Sequence, residues 1–211
     1  MTARPAQHDQ RRQQILAAAA TVIAERGICD VRIADIAAVA ETSTGLILYY
    51  FESKDRLLAE ALTHAEDQFY LHIFHGISAL DDPRAQLTHL ITSACPGLAD
   101  ALGGLAAEWT LWLELWARAL HDDEVARKRV ALDRRWRSTI ADVVRTGQQR
   151  GVFADVDPHE FALELAALMD GLAVQVVLGD SEIDGARMRD LSLGLARRRL
   201  VFESDDVAAT H

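Results

Sequence analysis

The stretch S-T-G-L-I-L-Y-Y-F-E-S-K, Ser43–Lys54, decides how the first part of this chain is interpreted. Its central run, Gly45–Phe51, is short, apolar, aromatic and partly β-branched, and taken alone it is typical of a buried strand. No second strand candidate lies nearby to pair with it. We therefore interpret the run as a short helix that precedes a second, charged helix.

As a helix, this run has two apolar faces. At about 100° per residue, one face carries Ile47, Leu48 and Phe51, and the opposite face carries Leu46, Tyr49 and Tyr50. The first face can pack against the two preceding helices, whereas an outward apolar face requires a partner. Because tyrosine combines a large ring with a hydroxyl that reaches a phosphate, the outward face suits a DNA groove.

The residues before the run complete a helix-turn-helix pattern. A short helix over 33–40, the turn Glu41–Thr44 and a helix over 44–51 have its dimensions. Ser43 is placed to cap the second helix, whose first N–H groups would then face a phosphate. Lys54 opens the next helix and can contact the DNA backbone beside it.

Composition favours an all-α protein, because Ala and Leu are abundant while only four prolines occur among 211 residues. The net charge of −10 argues against nucleic-acid binding by the chain as a whole. Residues 1–56 contain seven basic and seven acidic side chains, so this part is neutral and the remainder carries the whole −10. A neutral module can bind DNA when its basic side chains face one way.

Hydrophobic periodicity predicts further helices along the chain. The first begins near Arg11 and ends at Gly27; the others cover 54–77, about 105–121, 123–149, 158–179 and 184–202. Ser53 and Asp157 are expected N-caps, and Asp157 is followed by Pro158 at the first helical position.

The head of the chain resembles a known family. The run from Gln14 to Leu62, with the core I-A-x-x-A-x-x-S-x-G-x-x-x-x-Y-F-x-x-K-x-x-L-L from Ile36 to Leu58, resembles the DNA-binding domain of TetR-family transcriptional regulators. The resemblance implies an all-α protein with a helix-turn-helix domain over 8–53 and a helical ligand-binding and dimerisation domain over 54–203. It implies a homodimer that binds a palindromic operator, most often as a repressor released by a small molecule.

The resemblance also implies which residues contact DNA: Thr44, Gly45, Leu46, Tyr49, Tyr50 and Lys54, with Arg11 and Arg12 as candidates for a basic arm. To these we add Ser43, at the start of the second helix, and Arg32, which we interpret as a phosphate contact. The chain departs from the family pattern at several positions. Glu41 and Thr42 stand in the turn where Gly and Val are common, Leu48 replaces a tyrosine, and Arg32 stands where many members have a Ser or Thr cap.

Aromatic residues at helical spacing mark a candidate ligand site in the body. Trp109, Trp112 and Trp116 share one face, and Asp170 interrupts an apolar run where an unpaired carboxylate would be unfavourable. The proposed ligand-binding residues are Phe69, Glu108, Trp109, Trp112, Trp116 and Asp170. Aromatic rings with carboxylates suit a cation such as a quaternary ammonium, although such a stripe is more often core. The segments W-L-E-L-W-A-R-A-L (112–120), L-D-R-R-W-R-S-T-I (132–140) and L-A-A-L-M-D-G-L (165–172) also resemble the body of BetI-like members, which are repressors of a choline pathway.

The last two helices are the expected dimer interface, with Leu165, Gly171, Leu172, Val176 and Leu195 as its residues. The expected partners are operator DNA, a second copy and a small-molecule effector. No membrane span, signal peptide, cofactor motif or metal spacing is recognisable, so a cytoplasmic protein without cofactor or metal is expected. No catalytic motif supports the alternative of an enzyme or cation-binding protein with a vestigial head. An activator stays open as a further alternative.

Overall fold

A computed structural model describes residues 3–97 and 106–201 of the chain, and the regular structure within these ranges is entirely helical. The described helices are α1 Ala3–Arg26, α2 Ile33–Val39, α3 Thr44–Phe51, α4 Lys54–Ser78, α5 Pro83–Ser93, α6 Ala106–Ala119, α7 Asp123–Gln149, α8 Pro158–Val177 and α9 Gly185–Leu200. The predicted all-α class is confirmed. None of these helices is long and apolar enough to cross a membrane.

The chain forms two compact units. Among the described residues, 3–71 and Ala107–Arg129 belong to the first unit, and 72–97, Ala106 and 130–201 belong to the second. The first unit therefore combines α1–α3 with most of α4, with α6 and with the start of α7. The domain boundary that the sequence suggests between residues 53 and 54 stays a prediction.

The first three helices pack together because each presents an apolar stripe to the others. α1 packs on α2 and α2 on α3, and their shared core is fully buried at Ile15, Ile23, Ile36, Ile47 and Phe51. α1 ends at Arg26 because Gly27 adopts φ +73°, a left-handed conformation that glycine tolerates.

The predicted N-cap residues form hydrogen bonds with the first N–H groups of their helices. Ser43 Oγ accepts from the N–H of Leu46 at 3.1 Å, and Ser53 Oγ accepts from the N–H of Arg56 at 3.2 Å. In the second unit, Asp157 Oδ1 accepts from the N–H groups of His159 and Glu160. These bonds lower the pKa of Asp157, first through Glu160 and then through His159, because they stabilise its charged form.

Helix α5 is absent from the sequence-based assignment. Its start, Asp82-Pro83, has the same signal as Asp157-Pro158, and Asp82 Oδ1 accepts from the N–H of Arg84 at 3.2 Å. Both α5 and α8 pack on α9, so this missing helix belongs to the core of the second unit.

Two further predictions are corrected by the structure. Helix α1 begins at Ala3, well before Arg11. Leu48, expected to face the core, is 43% exposed. It lies about 100° around the helix from the buried Ile47, which places it at the edge of the inward face.

Candidate nucleic-acid interface and aromatic site

The N-terminus of α3 offers hydrogen-bond donors to an external partner. Ser43 Oγ accepts from Leu46, so its own O–H can still donate outward. The Ile47 N–H is bonded to the Ser43 carbonyl, whereas the N–H groups of Thr44 and Gly45 have no acceptor within the described residues. Such a helix end favours an anion, because its free N–H groups carry partial positive charge.

Gly45 is not explained by packing inside the chain. It is exposed, its φ is not positive, and a Cβ built on it would meet nothing within 4 Å. A glycine at a helical position is unfavourable by about 1 kcal/mol relative to alanine. A glycine here is therefore consistent with a partner whose backbone approaches closely.

The outward face of α3 is aromatic and open. Tyr49 is 75% exposed and Leu46 is 37% exposed. Tyr50 is half-buried, and its ring lies 4.6 Å from the ring of His8 and 5.8 Å from that of Tyr49. Tyr49 is therefore the most accessible aromatic side chain on this helix.

The five arginine and lysine side chains from His8 to Lys54 fall into two groups. Arg12 pairs with Glu60 and lies 5.1 Å from the centre of the Phe51 ring, so it is held inside the head. Arg26 pairs with Asp35 at 3.0 Å. Both arginines are therefore held by contacts within the chain, so Arg12 is no longer a preferred candidate for the basic arm that contacts DNA.

The second group consists of three cations that form no ion pair among the described residues: Arg11, Arg32 and Lys54. Arg32 is exposed and precedes α2 without forming a side-chain cap. Arg11 and Lys54 are half-buried. These three cations remain available to phosphate.

The turn between α2 and α3 has the hydrogen-bonded backbone of a helix-turn-helix, although Glu41 and Thr42 are unusual residues there. The N–H of Thr42 donates to the Ala37 carbonyl at 2.9 Å, and the N–H of Glu41 donates to the Ala38 carbonyl at 3.3 Å. Glu41 adopts φ +48°, a conformation that glycine accepts more readily than glutamate. The substitution of a glycine by glutamate is thus tolerated with local backbone strain.

The aromatic residues of α6 have partners inside the first unit. Trp112 meets Phe69 of α4 edge-on at 6.4 Å between ring centres, and Trp109 meets Trp116 at 6.3 Å. The guanidinium of Arg129 lies 5.6 Å from the centre of the Trp116 ring. Phe69 is 8% exposed, and all three tryptophans are half-buried.

Trp116 carries a buried donor without a partner. Its Nε1–H has no hydrogen-bond acceptor within the described part of the chain. A buried donor left unpaired is unfavourable by about 1–3 kcal/mol, so an incoming oxygen atom would stabilise it. The side chain of Glu108 lies outside the described residues. Asp170 belongs to the second unit, where it is half-buried and has an interaction partner.

The predicted dimer residues differ in accessibility. Leu165 and Leu172 are 0% and 8% exposed, so they belong to the protomer's own core. They lie two turns apart on the buried face of α8. Val176 and Leu195 are half-buried, and Gly171 is exposed with no atom within 4 Å of a built Cβ. An apolar stripe remains accessible along α8 at Leu163, Ala167, Gly171 and Val174, and it continues to Leu178, the C-cap residue of the helix.

Glu114 is a functional candidate that sequence reasoning missed. Its Oε1 accepts from the N–H of Ile28, just beyond the end of α1, at 3.1 Å. The two residues are 86 positions apart, and no local pattern links a carboxylate on α6 to that amide. Only the folded chain brings them together.

Comparison with known families matches both parts of the chain. A family described as bacterial regulatory proteins, tetR family, matches residues 15–61. A second, described as BetI-type transcriptional repressor, C-terminal, matches residues 83–200. Together these matches cover the head and most of the body.

The sequences of individual relatives align with this chain over nearly their whole length. The HTH-type transcriptional regulator BetI of Ectopseudomonas mendocina (strain ymp) is 30% identical over 196 residues, covering 89% of this chain and 95% of that protein. The regulator of the same name from Escherichia coli (strain K12) is 29% identical over 182 residues, covering 86% and 90%.

Solved structures share the fold. A putative transcriptional regulator from Saccharomonospora viridis, solved in complex with choline, superposes with a TM-score of 0.82 at 33% identity, covering 91% of this chain and 98% of that one. A putative TetR-family regulator from Rhodococcus sp. gives 0.75 at 29% identity, covering 91% and 99%.

Proposed function

The chain belongs to the TetR family of transcriptional regulators, with a C-terminal region of the BetI type, and on that premise we propose that it is a homodimeric repressor released from a palindromic operator by a small quaternary ammonium cation. Members of this family are regulators and not enzymes. Dimerisation and ligand-induced release from the operator are typical of the family.

The exposed face of α3 is the observation that carries the DNA-binding part of the proposal. We assign base and sugar contacts to Thr44, Leu46 and Tyr49, and phosphate contacts to the Ser43–Gly45 helix end and to Lys54. Tyr50 contributes less surface, because its ring is half-buried against His8. Arg32 and Arg11 add phosphate contacts at the edges of this surface.

Selection of bound duplexes from random DNA, followed by fluorescence anisotropy, tests this assignment. We expect a palindromic site bound by two protomers with nanomolar affinity. Tyr49→Ala should weaken binding at least about tenfold, as expected for loss of an aromatic contact, without changing thermal stability. Ile183→Ala, which alters a half-buried residue of the second unit, is the matched control. Equal binding of all duplexes by wild type and Tyr49→Ala would overturn the proposal.

The effector proposal rests on the aromatic cluster of α6 and on the choline complex of the Saccharomonospora viridis regulator. Arg129 beside Trp116 illustrates that this cluster accepts a cation near a ring. Because Arg129 occupies that place, we assign the trimethylammonium group to Trp109 and Trp112. The unpaired Nε1–H of Trp116 would donate to the hydroxyl oxygen. Phe69 supports Trp112 from α4.

Isothermal titration with three probes separates the contribution of the positive charge to binding from that of the hydroxyl group. Choline carries charge and hydroxyl, tetramethylammonium carries the charge alone, and 3,3-dimethyl-1-butanol is a neutral isostere that keeps the hydroxyl. We expect choline to bind most tightly and the neutral alcohol least, since cation–π contacts contribute about 0.5–2 kcal/mol each. Trp116→Phe should remove the preference for choline over tetramethylammonium. Equal binding of choline and its neutral isostere would refute a cationic effector while leaving the DNA proposal intact.

The apolar stripe of α8 is proposed as the dimer surface. Gly171 would permit close approach of the partner helix, with Leu163 and Leu178, which are 47% and 75% exposed, beside it. Val176 and Leu195 would contribute at the edges. Gly171→Arg should give a folded monomer in analytical ultracentrifugation, and an unchanged dimer would contradict this placement.

A further inference from the structure

The bond between Glu114 and Ile28 joins the aromatic helix α6 to the DNA-binding head. Both residues belong to the first compact unit, and the carboxylate is half-buried. The acceptor is a side chain of α6, whereas the donor is a backbone amide at the start of the α1–α2 connection. A movement of α6 therefore acts on the backbone of the head directly.

Gly27 fits this contact closely. A Cβ built on Gly27 would lie 3.0 Å from the same Oε1 of Glu114. At the end of α1, the Gly27 N–H is bonded to the Ile23 carbonyl at 2.8 Å, so the next N–H, that of Ile28, is the first one left for an outside acceptor. The glycine thus serves the left-handed cap and also makes room for the carboxylate.

The contact point lies next to the residues that hold the helix-turn-helix. Arg26, adjacent to Gly27, forms a 3.0 Å ion pair with Asp35 of α2. α2 packs on both α1 and α3. A displacement at Gly27–Ile28 is therefore passed through Arg26 and its ion pair to α2, which packs on α3.

On α6, Glu114 lies among the residues assigned to the effector. It is two positions from Trp112 and two from Trp116. Leu111 and Leu115, which are 7% and 6% exposed, anchor the same two turns of the helix. Because a helix moves as a rigid element over two turns, a ligand that displaces the tryptophans also displaces the Glu114 carboxylate.

We propose that Glu114 is a positioning residue that couples effector binding at α6 to the head through its hydrogen bond to the Ile28 amide. The proposal deepens the regulation proposed above and rests on it for the identity of the effector. Glu114 is assigned no contact with DNA or with the effector. It transmits the position of α6 to the end of α1, and so to α2 and α3.

The first test measures coupling with choline as the probe. Operator dissociation constants are determined with and without saturating choline for wild type, Glu114→Ala and Glu114→Gln. Allosteric coupling in proteins commonly amounts to about 5–150-fold in affinity. We expect Glu114→Ala to reduce the choline effect at least about fivefold, while Glu114→Gln, whose amide oxygen can accept the same bond, retains most of it. A choline effect unchanged in Glu114→Ala would overturn the proposal.

A second test does not depend on choline, so a failed effector assignment and a failed coupling give different results. Operator affinity is measured for Trp112→Ala, Glu114→Ala and the double variant. If α6 acts on the head through Glu114, Trp112→Ala changes operator affinity in the wild-type background and has no further effect in Glu114→Ala. Additive effects, or no effect of Trp112→Ala alone, would overturn the proposal.

Hydrogen exchange tests whether the Glu114 carboxylate protects the Ile28 amide in solution. The Ile28 amide should exchange faster in Glu114→Ala than in wild type or Glu114→Gln, while the buried core of α1 around Ile23 stays protected. Glu124→Ala is the matched control, because it removes another carboxylate of the first unit that pairs locally with Lys128. Equal exchange at Ile28 in Glu114→Ala and wild type would mean that this bond does not hold the amide, and it would overturn the coupling proposal.

Discussion

Helices α3 and α6 both carry an aromatic face, but the two faces differ in what already covers them. Tyr49 on α3 is 75% exposed and contacts only its neighbour Tyr50 among the described rings. On α6, Trp112 is packed edge-on against Phe69, and Trp116 lies against Trp109 and Arg129. The aromatic face of α3 is therefore open to an external partner, whereas the aromatic side chains of α6 are half-buried within the chain.

This difference explains why function is easier to assign at α3 than at α6. An exposed aromatic face beside a free helix N-terminus, a glycine without internal contacts and an unpaired lysine has few roles other than binding an anionic partner. A half-buried tryptophan cluster contributes to stability whether or not it binds a ligand. Effector assignment at α6 therefore needs a chemical probe, while DNA binding at α3 can be tested by substitution alone.

The largest expected effect contrasts the two sides of α3. Ile47 is 0% exposed, so Ile47→Ala should destabilise the protein by about 2–5 kcal/mol. Tyr49→Ala should change stability by no more than about 0.5 kcal/mol. Urea unfolding of both variants checks this. Comparable destabilisation by the two substitutions would mean that Tyr49 has a structural role.

The next effect tests whether α6 is structural as well as ligand-binding. Trp112→Ala removes a half-buried ring and its contact with Phe69, so we expect a loss of about 2 kcal/mol, below the range for fully buried aromatics. Trp112→Phe should recover part of that loss. A Trp112→Ala variant as stable as wild type in urea would show that α6 is as dependent on an external partner as α3.

A smaller effect is expected at the turn between α2 and α3. Glu41 adopts φ +48°, and Glu41→Gly removes that strain. The gain should be about 0.5–1 kcal/mol, because the greater flexibility of the unfolded glycine chain offsets part of it. Glu41→Ala, which keeps the strained φ, is the control. A destabilising Glu41→Gly would indicate that the glutamate side chain makes a stabilising contribution that outweighs the strain.

The smallest effect is a pH dependence from His64 on α4. Burial lowers the pKa of His64, nearby Asp67 raises it, and Arg12 lowers it further, with a net downward shift. The folded state therefore favours the neutral ring. As pH falls below about 6.5, the ordinary pKa of histidine, the unfolded state binds the proton more readily than the folded state, and the free energy of unfolding decreases. The stability difference between wild type and His64→Gln should be constant above neutrality and change below it. A constant difference down to pH 5 would contradict this.

Local signals make much of the fold predictable. Side-chain oxygens at Ser43, Ser53 and Asp157 stand directly before periodic apolar runs, and each forms the cap that this position implies. The same signal at Asp82-Pro83 precedes α5, but polar residues interrupt its apolar run, and periodicity alone does not identify the helix. Hydrophobic period identifies Ile47 and Phe51 as core, but it places Leu48 on the wrong side of the boundary.

Contacts between distant residues could not be predicted. No local sequence pattern indicates the pairing of Arg12 with Glu60 or the bond from Ile28 to Glu114, because each depends on how helices distant in sequence pack together. Likewise, periodicity shows that α8 has apolar residues all round without indicating which of them the protomer itself buries. Leu165 and Leu172 fall in its own core, and the accessible stripe through Gly171 emerges only from the folded chain.

The decisive measurement is the salt dependence of operator binding, because it reports whether the α3 surface and Lys54 beside it contact phosphates. The slope of log affinity against log salt should fall by about 0.9 in magnitude for each phosphate that the protein no longer neutralises. Lys54→Gln should reduce that slope by about one such step per bound protomer. Lys128→Gln, which alters the chain's other lysine on α7, should leave it unchanged. Equal slopes for wild type and both variants would contradict the assignment of this face to DNA.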